Sequence, residues 1–199
     1  MRLHVLGSGT LLPDPVRGSP AHWVELGPHM VQVDCGVGGF RTAARLGLPW
    51  RGLTHLLLTH FHTDHVGELA AVLFALKHGT SRGEDAPLTI LGPEGLLNHL
   101  DALARAHGSF VLDPGFPLVV REVSPDTRFR ASGGRWQLAT AATRHTDSSL
   151  ALRIESTDGV VGLTGDTGPD PDLGEFFRGC NVLVSECSHP DGMGLDTHL

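Results

Sequence analysis

Tyrosine is absent from this sequence, and lysine occurs once, at Lys77, against 14 arginines. Codons for both scarce residues are A/T-rich, so the bias reflects a GC-rich genome as much as function. Basic residues nowhere form a run, and the net charge is −7. Tight binding along a long nucleic acid normally takes a basic patch, because phosphate neutralisation supplies most of the affinity. No extended nucleic-acid patch is therefore expected. The loose neighbourhood of Arg121, Arg128, Arg130 and Arg135 is the one candidate for local contact with substrate.

Cysteine is scarce as well. Cys35, Cys180 and Cys187 are odd in number and far apart, which argues against a disulfide framework. No apolar run approaches the ~20 residues of a membrane span. The N-terminus, Met1 to Gly7, runs straight into a strand pattern without the apolar stretch of a signal peptide. These absences point to a cytoplasmic protein with reduced thiols. With 40 % apolar residues, 26 Gly and 13 Pro, the 199 residues suit one turn-rich domain spanning 1–199.

Histidine, by contrast, is plentiful, with 13 in the chain. Most are scattered: His4, His22, His29, His55, His78, His99 and His107 are expected to be surface or core residues rather than ligands. The stretch Thr59-His60-Phe61-His62-Thr63-Asp64-His65 is different. Its spacing, H-x-H-x-D-H, would make the side chains repel and desolvate one another if buried without a cation. Imidazole and carboxylate donors suit Zn, and also accept Mn or Fe, whereas a closed structural Zn site would want thiolates. The motif sits between a strand-length apolar run, Leu53–Thr59, and a helical pattern from Val66 to about Lys77. Alternate residues of such a loop face opposite sides. The spacing thus predicts two neighbouring divalent ions, His60 and His62 serving one, Asp64 and His65 the other.

Two ions need further donors. Arg144-His145-Thr146-Asp147 and Thr164-Gly165-Asp166-Thr167-Gly168 both end predicted strands. His145 would complete the first ion, and Asp166, flanked by glycines, could bridge both. Strands are also expected at Leu3–Leu6, Trp23–Leu26, Met30–Val33, Leu88–Leu91, Leu118–Val123, Arg135–Ala142, Ser149–Glu155, Val160–Leu163 and Asn181–Ser185. Helices are expected over Gly38–Leu46, from Pro93 through His107 with Pro93 at the first helical position, and over Pro171–Arg178. Two β-rich halves, each followed by helices, predict a four-layer α/β/β/α sandwich. Gly7-Ser8-Gly9 lacks both the third glycine and the following helix of a dinucleotide-binding turn, so a tight turn near the metals is expected instead.

At this point the chain resembles the metallo-β-lactamase superfamily, and within it the ribonuclease Z-like branch. Leu6-Gly7-Ser8-Gly9-Thr10 with Pro13 and Arg17, Asp34-Cys35-Gly36, the His60–His65 signature, His145 and Asp166 all match in order. Ser185-Glu186-Cys187 resembles the strand whose glutamate orients a catalytic histidine, and Asp196-Thr197-His198-Leu199 resembles the loop carrying it. The resemblance implies the metallo-β-lactamase-type αββα fold and metals on His60, His62, Asp64, His65, His145 and Asp166. It also implies catalytic roles for Asp64, Glu186 and His198, and a homodimer.

Two departures stand out. The family ends with a further helix and a strand bearing the last ligand of the second metal, whereas this sequence stops at Leu199. His198 could be that ligand, but eleven residues after Glu186 leave no room for the helix, so the catalytic role is the preferred one. Twenty residues separate His145 from Asp166, too few for the long arm of many tRNA-processing members. The expected activity is metal-dependent hydrolysis of a phosphodiester, either a small molecule or an RNA end. Two cations about 3.5–4 Å apart would lower the pKa of a shared water toward roughly 7. The alternatives are a glyoxalase II-like thioester or lactone hydrolase, and a non-catalytic metal-binding relative should the natural chain end at Leu199.

Overall fold

Alternation of short apolar strands with helices produces, in a computed structural model describing residues 1–10, 12–83, 85–188 and 196–199, two compact units. One spans Arg2–Glu122; the other comprises Val123–Leu199 together with Met1.

The first unit holds a six-stranded sheet in the sequential order β1 (Arg2–Gly7), β2 (Ala21–Leu26), β3 (His29–Val33), β4 (Leu53–Leu57), β5 (Leu88–Gly92) and β6 (Leu118–Glu122). The first three pair antiparallel, and the links β3–β4, β4–β5 and β5–β6 are parallel. A parallel link needs a crossover long enough to carry a helix. These crossovers hold α1 (Gly39–Arg45), then α2 (Thr63–Val66) and α3 (Leu69–Gly79), then α4 (Leu96–His107). Leu69, Val72, Leu73 and Leu76 form one face of α3 by the i, i+3, i+4, i+7 rule. They are fully buried in a cluster with Trp23, Leu53, Leu56, Leu88, Ile90 and Leu100. Loops after parallel strands gather at the carboxyl edge of the sheet, where open α/β sheets bind ligands. Asp34 follows β3 there, and the histidine motif follows β4.

The second unit holds a five-stranded sheet in the order β11 (Val182–Val184), β10 (Gly159–Leu163), β9 (Leu150–Ser156), β8 (Trp136–Ala142) and β7 (Arg128–Arg130). The β10–β11 pair is parallel, and its crossover carries α5 (Pro171–Phe176), capped by Asp170 accepting from the Asp172 N–H at 3.0 Å. Leu173 and Phe177 pack on Ala151. Because β8, β10 and β11 run the same way, the turns carrying His145, Asp166 and Glu186 emerge at one edge.

Three local expectations are corrected. The helix expected from Val66 to Lys77 is broken, since α2 ends at Val66 and α3 starts at Leu69. Between them the Glu68 carboxylate accepts from Gly38 N–H at 2.8 Å and Phe40 N–H at 3.0 Å. It thereby caps α1, and helix continuity is traded for that cap. The helix expected from Pro93, α4, starts instead at Leu96, because Gly95 lies in the left-handed region at φ 98° and cannot sit inside a helix. The Glu122 carboxylate caps this start through Gly95 N–H and Leu97 N–H, both at 3.0 Å. Strand β7 was not anticipated, since Arg128-Phe129-Arg130 lacks the apolar alternation that marks a strand. Its two arginines are exposed on an edge.

His4 meets Glu25 at 2.9 Å, and His22 and His55 are buried on strands. Burial, reinforced by the His29 imidazole, pushes His55 from its ordinary 6.5 down to about 4. The unfolded chain therefore binds more protons than the folded one between these values, and stability falls as the pH drops through that window. At pH 5 the loss relative to pH 7 is about 2 kcal/mol. The His55→Gln variant is expected to lose less stability than the parent between pH 7 and pH 5 in urea unfolding. Identical losses would refute the assignment.

Candidate metal centre

In the first unit the donors are organised by one carboxylate. Asp34, buried at the end of β3, adopts a left-handed backbone at φ 57°. That geometry is uncommon for a residue with a side chain, although Asp tolerates it better than most. The turn lets Asp34 N–H donate to Leu57 O (2.8 Å) while Cys35 N–H donates to His65 O (2.6 Å), tying the strand end to the motif. The side chain accepts from Thr59 N–H at 2.8 Å and from His65 Nδ1–H at 2.8 Å. The Thr59 hydroxyl reaches both carboxylate oxygens, at 3.1 and 2.9 Å. A carboxylate only accepts, so the single hydroxyl proton goes to Asp34, and Thr59 Oγ1 accepts from His60 Nδ1–H at 3.1 Å. Both imidazoles therefore carry their proton on Nδ1 and the lone pair on Nε2. This is the outer-shell arrangement that orients metal-binding histidines.

The motif's ligand atoms pair as its spacing implies. Those of His60 and His62 lie within 4.8 Å of one another, with the two rings 4.7 Å apart. His65 Nε2 stands 3.7 Å from Asp64 Oδ2. Two donors held roughly 2.0–2.2 Å from one tetrahedral ion are separated by roughly 3.3–3.6 Å, slightly less than this gap and longer than a hydrogen bond. Cys35 is buried beside them. Desolvation first, then the Asp34 and Glu68 carboxylates, push its thiol well above the ordinary range.

The second unit repeats the pattern. His145 Nδ1–H donates to the Thr197 carbonyl at 3.1 Å, which leaves the lone pair on Nε2. That atom lies 3.7 Å from Asp166 Oδ2, matching the spacing of the His65–Asp64 pair. Asp166 follows Gly165, whose φ of 60° turns the chain after β10. His198 Nδ1 lies 3.2 and 3.1 Å from the two Glu186 carboxylate oxygens and 3.9 Å from Asp166 Oδ2. Glu186 is itself held by Thr167 N–H on one oxygen and by the Ser188 hydroxyl, at 2.6 Å, on the other. The His145 and His198 rings are 4.7 Å apart. Residue 168 must be glycine, since a Cβ there would lie 1.8 Å from the Asp196 carbonyl oxygen.

Each expected site residue thus has a partner from the expected set within its own unit. No histidine outside that set joins a group of three or more metal-type donors among the described residues. The supporting residues were the ones sequence reasoning missed. Asp34 entered only through family resemblance, and Thr59 passed as the end of an apolar run. Gly7-Ser8-Gly9 forms a close backbone packing rather than a phosphate cradle. Gly9 N–H donates to Gly18 O at 2.8 Å, and a Cβ on Gly7 would lie 1.9 Å from Ser19 O.

The chain matches known proteins over most of its length. The family model of the β-lactamase superfamily domain matches residues 29–199. Ribonuclease Z of Mycobacterium marinum (strain ATCC BAA-535 / M) is 32 % identical over 193 residues, covering 92 % of this chain and 69 % of that protein. Ribonuclease Z of Mycobacterium avium (strain 104) is 34 % identical over 191 residues, covering 90 % and 68 %. Among solved structures, human tRNase Z, short form, superposes with a TM-score of 0.80 at 21 % identity, covering 95 % of this chain and 79 % of that one. The metallo-β-lactamase fold protein YhfI from Bacillus subtilis gives 0.78 at 21 % identity, covering 98 % and 76 %. The fold is therefore the α/β metallo-β-lactamase fold, and the chain belongs to the metallo-β-lactamase superfamily, in its ribonuclease Z-like branch.

Proposed function

We propose that this chain is a metal-dependent phosphodiesterase of the ribonuclease Z type, cleaving an RNA end or a smaller phosphodiester. The observation that carries the reading is the matched donor geometry of the two units. His60, His65 and His145 each have Nδ1 committed to an oxygen, so each offers Nε2, and two of these nitrogens stand 3.7 Å from a carboxylate oxygen.

In this reading the two units are halves of one metallo-β-lactamase-fold domain. His60, His62, His145 and Asp166 would hold one ion, and Asp64, His65 and Asp166 the other. The donor set of imidazoles and carboxylates without thiolate favours Zn, with Mn or Fe accepted. Bound there, divalent cations would polarise the phosphoryl oxygens, neutralise charge growing on them and supply a nucleophile at neutral pH. Asp64 orients the attacking water and accepts its proton. Hydrolysis forms one P–O bond to that water and breaks the P–O bond to the leaving group, whose oxygen must gain a proton. His198 provides that proton from Nε2, its Nδ1–H being held by Glu186. The cysteines are free thiols, in keeping with a reducing cytoplasm. Among the described residues no helix is long and apolar enough to cross a membrane.

Elemental analysis after gentle purification is expected to find two ions per chain. Chelation should abolish hydrolysis of bis(4-nitrophenyl) phosphate, and Zn or Mn should restore it. One ion or none would overturn the binuclear reading. Faster turnover of an acyl thioester than of the phosphodiester would overturn the substrate class in favour of a thioester hydrolase.

A further inference from the structure

Phe61 sits between two proposed ligands, and its side chain has a partner of its own. The His99 imidazole on α4 stacks on the Phe61 ring, with centroids 5.0 Å apart and planes 15° from parallel. Room for this is made by Gly95. A Cβ there would lie 3.4 Å from Phe61 Cε2, and the φ of 98° disfavours any side chain. Successive residues of an extended segment face opposite sides. The His60 and His62 rings lie together, 4.7 Å apart, while the intervening Phe61 is held by α4. Helix α4 is in turn fixed at its start by the Glu122 carboxylate at the end of β6. His99 Nε2 is buried without a hydrogen-bond partner among the described residues. The flat face of the ring is therefore what the stack uses.

We infer that His99 is a positioning residue for the metal centre: by clamping Phe61 it fixes the direction in which His60 and His62 present their nitrogens. His65 is anchored directly by Asp34, so the clamp reaches it only through the neighbouring His60 ring, 4.1 Å away. The inference rests on the metal reading above and concerns only the His60–His62 half. It separates His99 from the ligands, with which it shares a residue type but no donor role.

The test is metal affinity by chelator competition with Zn or Co, for the parent chain and for His99→Ala, His99→Phe and Phe61→Leu. Thermal unfolding of each metal-free protein is recorded alongside. His99→Ala is expected to weaken one of the two ions by about 10–100-fold, the range for supports behind the ligands, and to leave the other unchanged. His99→Phe keeps a flat ring and removes the buried nitrogen, so it should restore parent affinity. Imidazole ¹H–¹⁵N spectra of the metal-free His99→Ala protein should move the His60 and His62 signals more than that of His65. If His99→Ala fails to fold, Phe61→Leu opens the same stack from its other side and should give the same selective loss. Loss of thermal stability with both affinities at parent values would make His99 a packing residue and overturn the inference. So would failure of His99→Phe to restore binding in a folded protein. A parent chain that binds no ion would overturn the metal reading as well, which distinguishes the two failures.

Discussion

Replacing Asp166 by alanine is expected to lower phosphodiester turnover by about 10³-fold or more, since the charge stabilisation supplied by at least one ion is lost with it. Asp166 is the one carboxylate assigned to both ions, so its loss differs from that of any single histidine. Elemental analysis of Asp166→Ala should fall from two ions to one or none. The fold should survive. Asp166 lies partly exposed in a turn after β10, outside the apolar core, with its Oδ2 3.7 Å from His145 Nε2 and 3.9 Å from His198 Nδ1. Thermal unfolding of the metal-free variant should therefore match that of the parent within about 1 kcal/mol. Near-normal turnover with two retained ions would sink the bridging assignment. A collapse of stability without metal would mean that Asp166 is structural.

His198 provides a contrast. Its removal should leave both ions in place and act on the rate alone, because its Nδ1 is committed to Glu186 and neither residue is assigned to an ion. Had His198 been the last ligand of the second ion, metal content would fall together with rate. One pair of measurements thus separates the two roles that the sequence left open.

What the sequence made legible follows from how local each signal is. The His60–His65 spacing needs no tertiary information, because four donor side chains in six positions have one common chemical explanation. The core of the first unit was readable from 3.6-residue and strand-length apolar patterns, as with Leu69, Val72, Leu73 and Leu76. The break at Gly67–Glu68 was not. It depends on Glu68 reaching the N–H groups of residues 38 and 40, some thirty positions away. The start of α4 was misplaced because Pro93 is a sound first helical residue, and what overrides it is Glu122, remote in sequence. Strand β7 escaped because an edge strand of three residues needs only one neighbour, and its arginines mimic a loop. Asp34 and Thr59 escaped for the same kind of reason. Their roles consist of contacts 25 and 31 positions apart, and neither residue type stands out where it occurs.

Asp34 is also where the largest loss of stability is expected. Its carboxylate serves Thr59 N–H, the Thr59 hydroxyl and His65 Nδ1–H, all of them buried. Alanine would strand three donors, each costing about 1–3 kcal/mol when unsatisfied. Some of that is recovered as Thr59 and His65 relax, so a loss of about 3–5 kcal/mol in urea unfolding of the metal-free protein is expected. The effect on metal binding should be uneven. His65 loses its direct partner, and His60 loses its indirect one, because a Thr59 hydroxyl released from Asp34 can donate to Nδ1 instead of accepting from it. His145 is held by the Thr197 carbonyl and keeps its tautomer. Metal affinity should therefore drop by about 10–100-fold or more through the first unit's ligands, while imidazole spectra show His145 unmoved. Asp34→Asn separates backbone from charge. Asparagine tolerates the φ of 57° as well as aspartate does, so strain is unchanged. It keeps one acceptor oxygen and replaces the other by a donor, so it should lose less stability than alanine yet still disturb either His60 or His65. An alanine variant as stable as the parent would show that Asp34 is not the organiser of these donors. An asparagine variant with parent metal affinity would show that one acceptor is enough to set both tautomers.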